Sequence, residues 1–262
     1  MDSSFFSINK YTKDDIRAID ARFEAQKIAF APLAFQAIRA LLDLGVLKLL
    51  DEAGDTGLTR SEICAKTGIS AYGISVLSEM ALGMHVLTLV PDSVSDDTDK
   101  ERLTLGKTGW FLLNDDLTRA NFNFTNDICY KGAFALEDSV KSGKPEGLKV
   151  FGDTWTTIYE ALSSLPEQEK KSWFGFDHFY SDIAFPEALP VVFAAEPRTL
   201  TDIGGNTAKW AIACCKYNPG VHVTIVDLPG QTAVAEKNAA AAGFAGRIST
   251  YSGNVLSADT KL

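Results

Sequence analysis

Thr199-Leu-Thr-Asp-Ile-Gly-Gly-Asn-Thr-Ala-Lys-Trp210 runs from an apolar, β-prone segment into a glycine turn and straight on into a helical pattern. The strand-like part is Thr199 to Ile203, the turn is Gly204 and Gly205, and the helix-like part is Ala208 to Tyr217. A second apolar run, Val221 to Val226, ends on Asp227. Strand, glycine turn, helix, strand and terminal acid make the first half of a nucleotide-binding βαβ unit. Glycines let the backbone approach a ligand closely, and a helix N-terminus favours negative charge. An acid closing the second strand can accept hydrogen bonds from ribose hydroxyls.

A dinucleotide fold asks for G-x-G-x-x-G, and Gly204-Gly-Asn-Thr-Ala-Lys209 does not supply it. The stretch instead resembles the first motif of the class I S-adenosylmethionine-dependent methyltransferases, an acid followed by G-x-G-x-G. Asp202 is the acid and Gly204 the first glycine, with Asn206 and Ala208 in place of the other two. Asn is the non-glycine residue that best tolerates positive φ, and Ala is the next smallest side chain. Val226-Asp-Leu-Pro229 is similar to the Asp-Leu-Pro that ends the second strand in the small-molecule O-methyltransferase family. Gly253-Asn254 resembles that family's Gly-Asp after the third strand, with Asn for Asp.

With 262 residues, one or two domains are expected. An apolar fraction of 46% and a charged fraction of 23% describe an ordinary globular chain. The net charge of −9 disfavours nucleic acid as a partner. Cys64, Cys129, Cys214 and Cys215 lack C-x-x-C spacing and read as reduced, mostly buried thiols of a cytoplasmic protein, with no metal site. The N-terminus is not of signal-peptide type, and no apolar run approaches the ~20 residues needed to span a membrane.

Residues 12 to 50 are helical in pattern, with Thr12-Lys-Asp-Asp as the expected start. Phe30, Phe35 and Leu42 spread the apolar stripe widely, so the helix is covered on several sides. The pattern alone leaves both a partner subunit and the domain's own core as that cover. Leu58 to Gly68 reads as a capped helix, Ile69-Ser70 opens another that stops at Gly83, and Val86–Val90 and Arg102–Leu105 are β-like runs. Helix, turn, helix and hairpin predict a winged helix. The would-be recognition helix, Ser70 to Leu82, has no Lys or Arg, and the polar wing is acidic. That argues against DNA reading, which needs cations or amides at base edges and phosphates.

Leu103-Thr-Leu-Gly-Lys-Thr-Gly-Trp-Phe-Leu-Leu113 resembles the end of the winged-helix dimerisation domain in the same O-methyltransferase family. The resemblance implies a mainly α dimerisation domain over 1–113, a helical linker and substrate-pocket region over 114–198, and a partial Rossmann-like α/β domain over 199–262. It also implies a homodimer formed through the N-terminal helices and winged helix.

In the middle region, helices are expected over Asp115–Tyr130, Gly132–Val140, Thr154–Leu165, Pro166–Phe174 and Phe185–Phe193. Between the last two lies Phe176-Asp-His-Phe-Tyr-Ser-Asp182, read as a helix end. The resemblance places Trp173, Phe176, Asp177, Tyr180 and Asp182 at the acceptor pocket. His178 and Tyr180 are the weak catalytic candidates; a locally satisfied His178 is the competing reading.

The resemblance implies S-adenosyl-L-methionine as cofactor and a small aromatic hydroxyl compound as acceptor. Asp202, Gly204, Gly205 and Asn206 would hold its amino-acid end, Asp227 its ribose, and Leu228 and Asn254 its adenine. From Asp202 to Leu262 there is room for only the first three strands of such a domain, in spatial order 3-2-1 with strand one as an open edge. The family's further strands, and its histidine base, would follow. The expectation is therefore a fragment of a longer product. A non-catalytic, degenerate cofactor-binding dimer scaffold is the alternative, and a DNA-binding regulator stands behind both.

Overall fold

The periodicities resolve into two units divided between Asp115 and Asp116 in the computed structural model, which describes residues 12–152, 155–162 and 164–257. In the first unit, α1 (Ala18–Asp43) is followed by α2 (Val46–Ala53). The start expected at Thr12 is not helical: α1 begins after Arg17, without a side-chain cap. The helix expected to reach residue 50 breaks at Gly45, whose φ of 75° lies in the left-handed region that ends helices. α1 divides its apolar residues lengthwise. Ala34, Ile38 and Leu41 are buried, whereas Ile28 and Leu33 are 76% and 60% exposed.

The winged helix follows as β1 (Leu58–Thr59), α3 (Arg60–Thr67), α4 (Ala71–Gly83), β2 (Leu87–Leu89) and β3 (Arg102–Leu105), closed by α5 (Lys107–Asn114). Thr59 and Glu62 form a reciprocal capping box: the Thr59 hydroxyl accepts from the Glu62 N–H, and Glu62 accepts from the Thr59 N–H at 2.8 Å. Ser70 caps α4 through the Gly73 N–H. The strands pair antiparallel in the order β1-β3-β2, with Leu58 and Leu89 both opposite Leu103. Leu47, Leu50, Ile63, Ile74, Leu87 and Leu103 fill the core beneath them. The wing loop is tied back by the buried Arg60, which donates to the Thr98 carbonyl at 2.6 Å and to Glu101 at 3.2 Å. On α4, Tyr72 and Val76 lie exposed.

In the second unit, α6 (Asp116–Phe124) passes through a π turn at Thr125–Cys129 into α7 (Tyr130–Gly132) and α8 (Leu136–Ser142). The helix expected over 154–165 is reduced to α9 (Ile158–Ala161); Thr154 and Ser163 fall outside the described residues. The two helices expected around Phe176–Asp182 are one, α10 (Glu167–Phe193), 27 residues long. It carries Pro186 and Pro190 inside it, each lacking an N–H donor. The cluster read as a helix end is thus mid-helix. Ile128, Leu162 and Leu165 form a core there with Phe124, Trp155 and Trp173 packed against it.

The α/β layer is β4 (Thr199–Ile203), α11 (Lys209–Tyr217), β5 (His222–Asp227), α12 (Pro229–Ala241) and β6 (Ile248–Ser252). The strands run parallel in the order β4-β5-β6, the 3-2-1 arrangement. Val223, Ile225 and Ile248 share a core with Ala211, Cys214 and Cys215 of α11 and Ala235 and Ala239 of α12. Small residues on both helices let them sit close to the sheet. Of the four thiols, Cys214 and Cys215 are buried and Cys129 is exposed. Among the described residues, no helix is long and apolar enough to cross a membrane.

Candidate functional site

The carboxyl ends of the three parallel strands open onto a cavity of about 760 Å³. This is where open α/β sheets place ligands, because the loops leaving the strands converge there. Ile203 and Gly204 come from the end of β4, Val226, Asp227 and Leu228 from β5, and Gly253 and Asn254 from β6. The opposite wall is aromatic. Phe124 stacks on Phe176 at 4.1 Å and lies against Trp173 at 5.6 Å, while Tyr159 meets Trp173 edge-on.

The glycine turn is built on unusual backbone. Gly204 has φ 76°, and two residues with side chains, Asn206 (φ 50°) and Ala208 (φ 68°), also sit in the left-handed region. Each such residue carries a steric penalty on the order of 1–2 kcal/mol, which surrounding contacts must offset. Gly205 has another reason to be glycine: a Cβ there would lie 2.6 Å from the Asp202 carboxylate and 2.8 Å from Ile225. Asp227 supports the turn from the sheet. Its Oδ2 accepts the Asn206 N–H at 2.8 Å, and its Oδ1 accepts the Leu228 N–H at 2.7 Å. From α12, the Asn238 amide donates to the Thr207 carbonyl at 3.0 Å.

Asp202 lies beneath the turn rather than on the cavity wall. Burial, reinforced by the Asp227 carboxylate, pushes its own carboxyl up to about 6. Its Oδ2 is buried without a hydrogen-bond partner, as are Asn206 Oδ1 and Gln231 Oε1. All three are acceptors, and Asn206 and Gln231 line the cavity. The lining includes the carboxyls of Glu160, Asp177 and Asp227 and, among the described residues, no Lys, Arg or His. Surplus acceptors and acids in an aromatic-walled cavity suit a ligand that is cationic and rich in N–H donors.

Of the residues singled out in the sequence, Trp173, Phe176, Asp177, Gly204, Asn206, Asp227, Leu228 and Asn254 share the cavity wall. Asn254 also shapes its own loop, accepting the Leu256 N–H at 3.0 Å. His178 turns toward the glycine turn, where its Nε2 lies 3.0 Å from the Thr207 hydroxyl. Burial first, then the Lys209 ammonium, holds its imidazole below the usual histidine range, against Asp177 and Asp182. Tyr180 is half-exposed and donates to Asn121 at 3.0 Å, and Asp182 pairs with Lys209.

The Dimerisation2-like domain family matches residues 22–93, and the O-methyltransferase domain family matches residues 134–260. The chain carries a Dimerisation2-like domain and an O-methyltransferase domain. It is 28% identical over 232 residues to an L-tyrosine C(3)-methyltransferase of Streptomyces lavendulae, an alignment covering 87% of this chain and 60% of that relative. The chain thus spans about 60% of the length of that curated relative. A 53-residue segment, 20% of this chain and 15% of the relative, is 42% identical to a 3-hydroxy-5-methyl-1-naphthoate 3-O-methyltransferase of Streptomyces sahachiroi. The crystal structure of human N-acetylserotonin methyltransferase in complex with SAM superposes with a TM-score of 0.59. It is 18% identical and covers 95% of this chain and 69% of that one, a likeness of fold.

Several contact residues of the second unit were not legible in the sequence. Gln231 reads as an ordinary residue near a helix start, yet it is buried beside the cavity. Thr207, Lys209 and Asn238 carry no motif signal, because their partners lie 27 to 31 residues away. Tyr159 and Glu160 sit on α9, which the sequence shows only as part of a longer helical pattern.

Proposed function

We propose that this chain binds S-adenosyl-L-methionine in the cavity at the strand ends, as part of an enzyme that methylates a hydroxyl of a small aromatic acceptor. The carrying observation is the cavity's chemistry: unpartnered acceptors at Asn206 and Gln231, three carboxyls and no cation in the described lining. When bound, the cofactor supplies an electrophilic sulfonium methyl to an attacking oxygen, leaving as the neutral thioether. The chain's own work is placement. Asn206 offers its buried Oδ1 to the ammonium end, Asp227 retains lone pairs for ribose hydroxyls, and Leu228 packs against the adenine. The wall of Phe124, Trp173 and Phe176 offers flat apolar faces to a planar acceptor and keeps water from it. Relatives named for methylating tyrosine and a hydroxynaphthoate support an aromatic acceptor. The Dimerisation2-like domain and the exposed apolar side chains of α1 support assembly as a homodimer.

A second reading, a cofactor-binding scaffold without turnover, is favoured by one observation: the described cavity lining contains no histidine or lysine to take the acceptor's proton. Calorimetric titration with S-adenosylmethionine tests the shared premise. Saturable binding is expected, weakened at least about tenfold by Asp227→Ala, which removes both the ribose acceptor and the brace on Asn206. A folded chain that takes up no cofactor overturns both readings. Methyl transfer to a phenolic acceptor by the chain, or by a longer product that contains it, rules out the scaffold.

A further inference from the structure

Two of the three left-handed positions in the glycine turn, Asn206 and Ala208, are not glycines, and α10 is what compensates. Three side chains on α10 reach three of the four residues from Asn206 to Lys209. The Asn206 amide donates to Asp177 Oδ2 at 3.1 Å, His178 Nε2 meets the Thr207 hydroxyl at 3.0 Å, and the Lys209 ammonium pairs with Asp182 at 2.5 Å. Ala208, the remaining residue, is fully buried and held through its N–H to the Gly205 carbonyl. The contacts follow chain order on both sides, 177 to 206, 178 to 207 and 182 to 209, and all three come from one continuous helix.

We propose that Asp177, His178 and Asp182 are positioning residues for the cofactor turn: α10 latches Asn206 and Ala208 into the left-handed backbone that glycine would adopt unaided. The proposal rests on the cofactor reading above. Asn206 and Ala208 pay a steric penalty in this conformation. Asp177 acts on the first of them directly. It also orients the amide, since only the NH₂ end can face a carboxylate, and so leaves Oδ1 as the buried acceptor beside the cavity. Trp173 and Phe176, on the same helix as the latch, form the aromatic wall. One helix therefore shapes the acceptor side of the cavity and sets the conformation of the cofactor turn.

A double-mutant cycle on the 262-residue chain tests this, with two readouts: calorimetric Kd for S-adenosylmethionine, and amide hydrogen exchange at residues 204–208 without ligand. If Asp177→Ala lowers the population of the competent turn to about a tenth, Kd rises about tenfold and the turn amides exchange correspondingly faster. Asp177→Asn, which retains an acceptor for the Asn206 amide but removes one of the three cavity carboxyls, is expected to keep the parental turn exchange while its Kd rises. On an Asn206→Gly background, Asp177→Ala is expected to leave turn exchange unchanged, since the glycine needs no latch. Unchanged turn exchange in Asp177→Ala, or the same acceleration on both backgrounds, overturns the latch. Should Asp177→Ala not fold, Thr207→Val removes the second contact at constant shape; faster exchange and weaker binding support the latch, and parental values overturn it. If the parent chain binds no cofactor, the cofactor reading fails, and exchange alone then decides: faster turn exchange in Asp177→Ala supports the latch, and an unchanged rate overturns it.

Discussion

Asp202 shows how one side chain can couple the fold to pH. Its carboxyl is half-buried under Gly205, with one oxygen lacking a donor and Asp227 nearby, and its pKa rises from 3.8 to about 6. A carboxyl with a raised folded-state pKa binds its proton more tightly in the native state than in the unfolded chain. Stability is therefore greatest below the ordinary value, falls as pH rises from about 4 to about 6, and is level above that. The full effect is about 3 kcal/mol at most. Asp202→Asn cannot ionise, so urea unfolding between pH 4 and 7 is expected to lose this slope. A variant whose stability falls with pH as steeply as the parent's would refute the assignment. The motif signature showed that an acid stands before the glycines. It could not show that the acid is covered, because burial depends on Gly205 and Ile225 closing over it.

At the scale of elements, local signals served well where a residue and its partner are close in sequence. Thr59 with Glu62, and Ser70 with the Gly73 N–H, cap α3 and α4 as their spacing predicts. Gly45 breaks the first long helix through its positive φ, an effect the apolar stripe alone concealed. The largest misreading was α10. Reading Phe176–Asp182 as a helix end made two helices of one, whereas packing against α6 and α11 keeps it continuous through Pro186 and Pro190. The wing illustrates a long-range tie. Arg60 and Glu101, 41 residues apart, are 9% and 8% exposed and pair at 3.2 Å. Arg60→Met leaves Glu101 buried without its cation and is expected to destabilise this unit by about 3–5 kcal/mol. Arg60→Met with Glu101→Leu is expected to recover most of that, since a matched apolar pair leaves no buried charge. Thermal unfolding of the two variants decides it, and equal losses in both would contradict the account.

At the scale of the whole chain, the second sheet leaves an edge. Gly204 donates to Val226 and the Arg198 carbonyl accepts from His222, so even-numbered backbone groups of β4 face β5. By the two-residue period of a strand, the N–H and C=O of Thr201 point the other way, where β4 has no strand partner among the described residues. Thr199, Thr201 and Ile203 are exposed alongside. Such an edge is a template for further strand pairing. Sedimentation of the 262-residue chain is expected to show concentration-dependent association beyond a dimer. Thr201→Pro, which removes an outward N–H without touching the β4–β5 ladder, is expected to reduce it. Identical assembly of variant and parent would place the association elsewhere.

The βαβαβ order, the winged helix, the acid-and-glycine turn and the apolar character of α1 were all determined by the sequence itself. Each rests on periodicity, capping or turn chemistry among residues a few positions apart, which physical rules can read directly. The tertiary structure alone decided the rest. It placed α10 as one helix against the glycine turn, gave Asp227 to the Asn206 and Leu228 amides, buried Gln231 beside the cavity and left Asp202 without a donor. Those features depend on side chains that meet only after the chain has folded back on itself. Whether a left-handed asparagine is tolerated in a glycine turn is settled by its neighbours in space, and no local pattern names them.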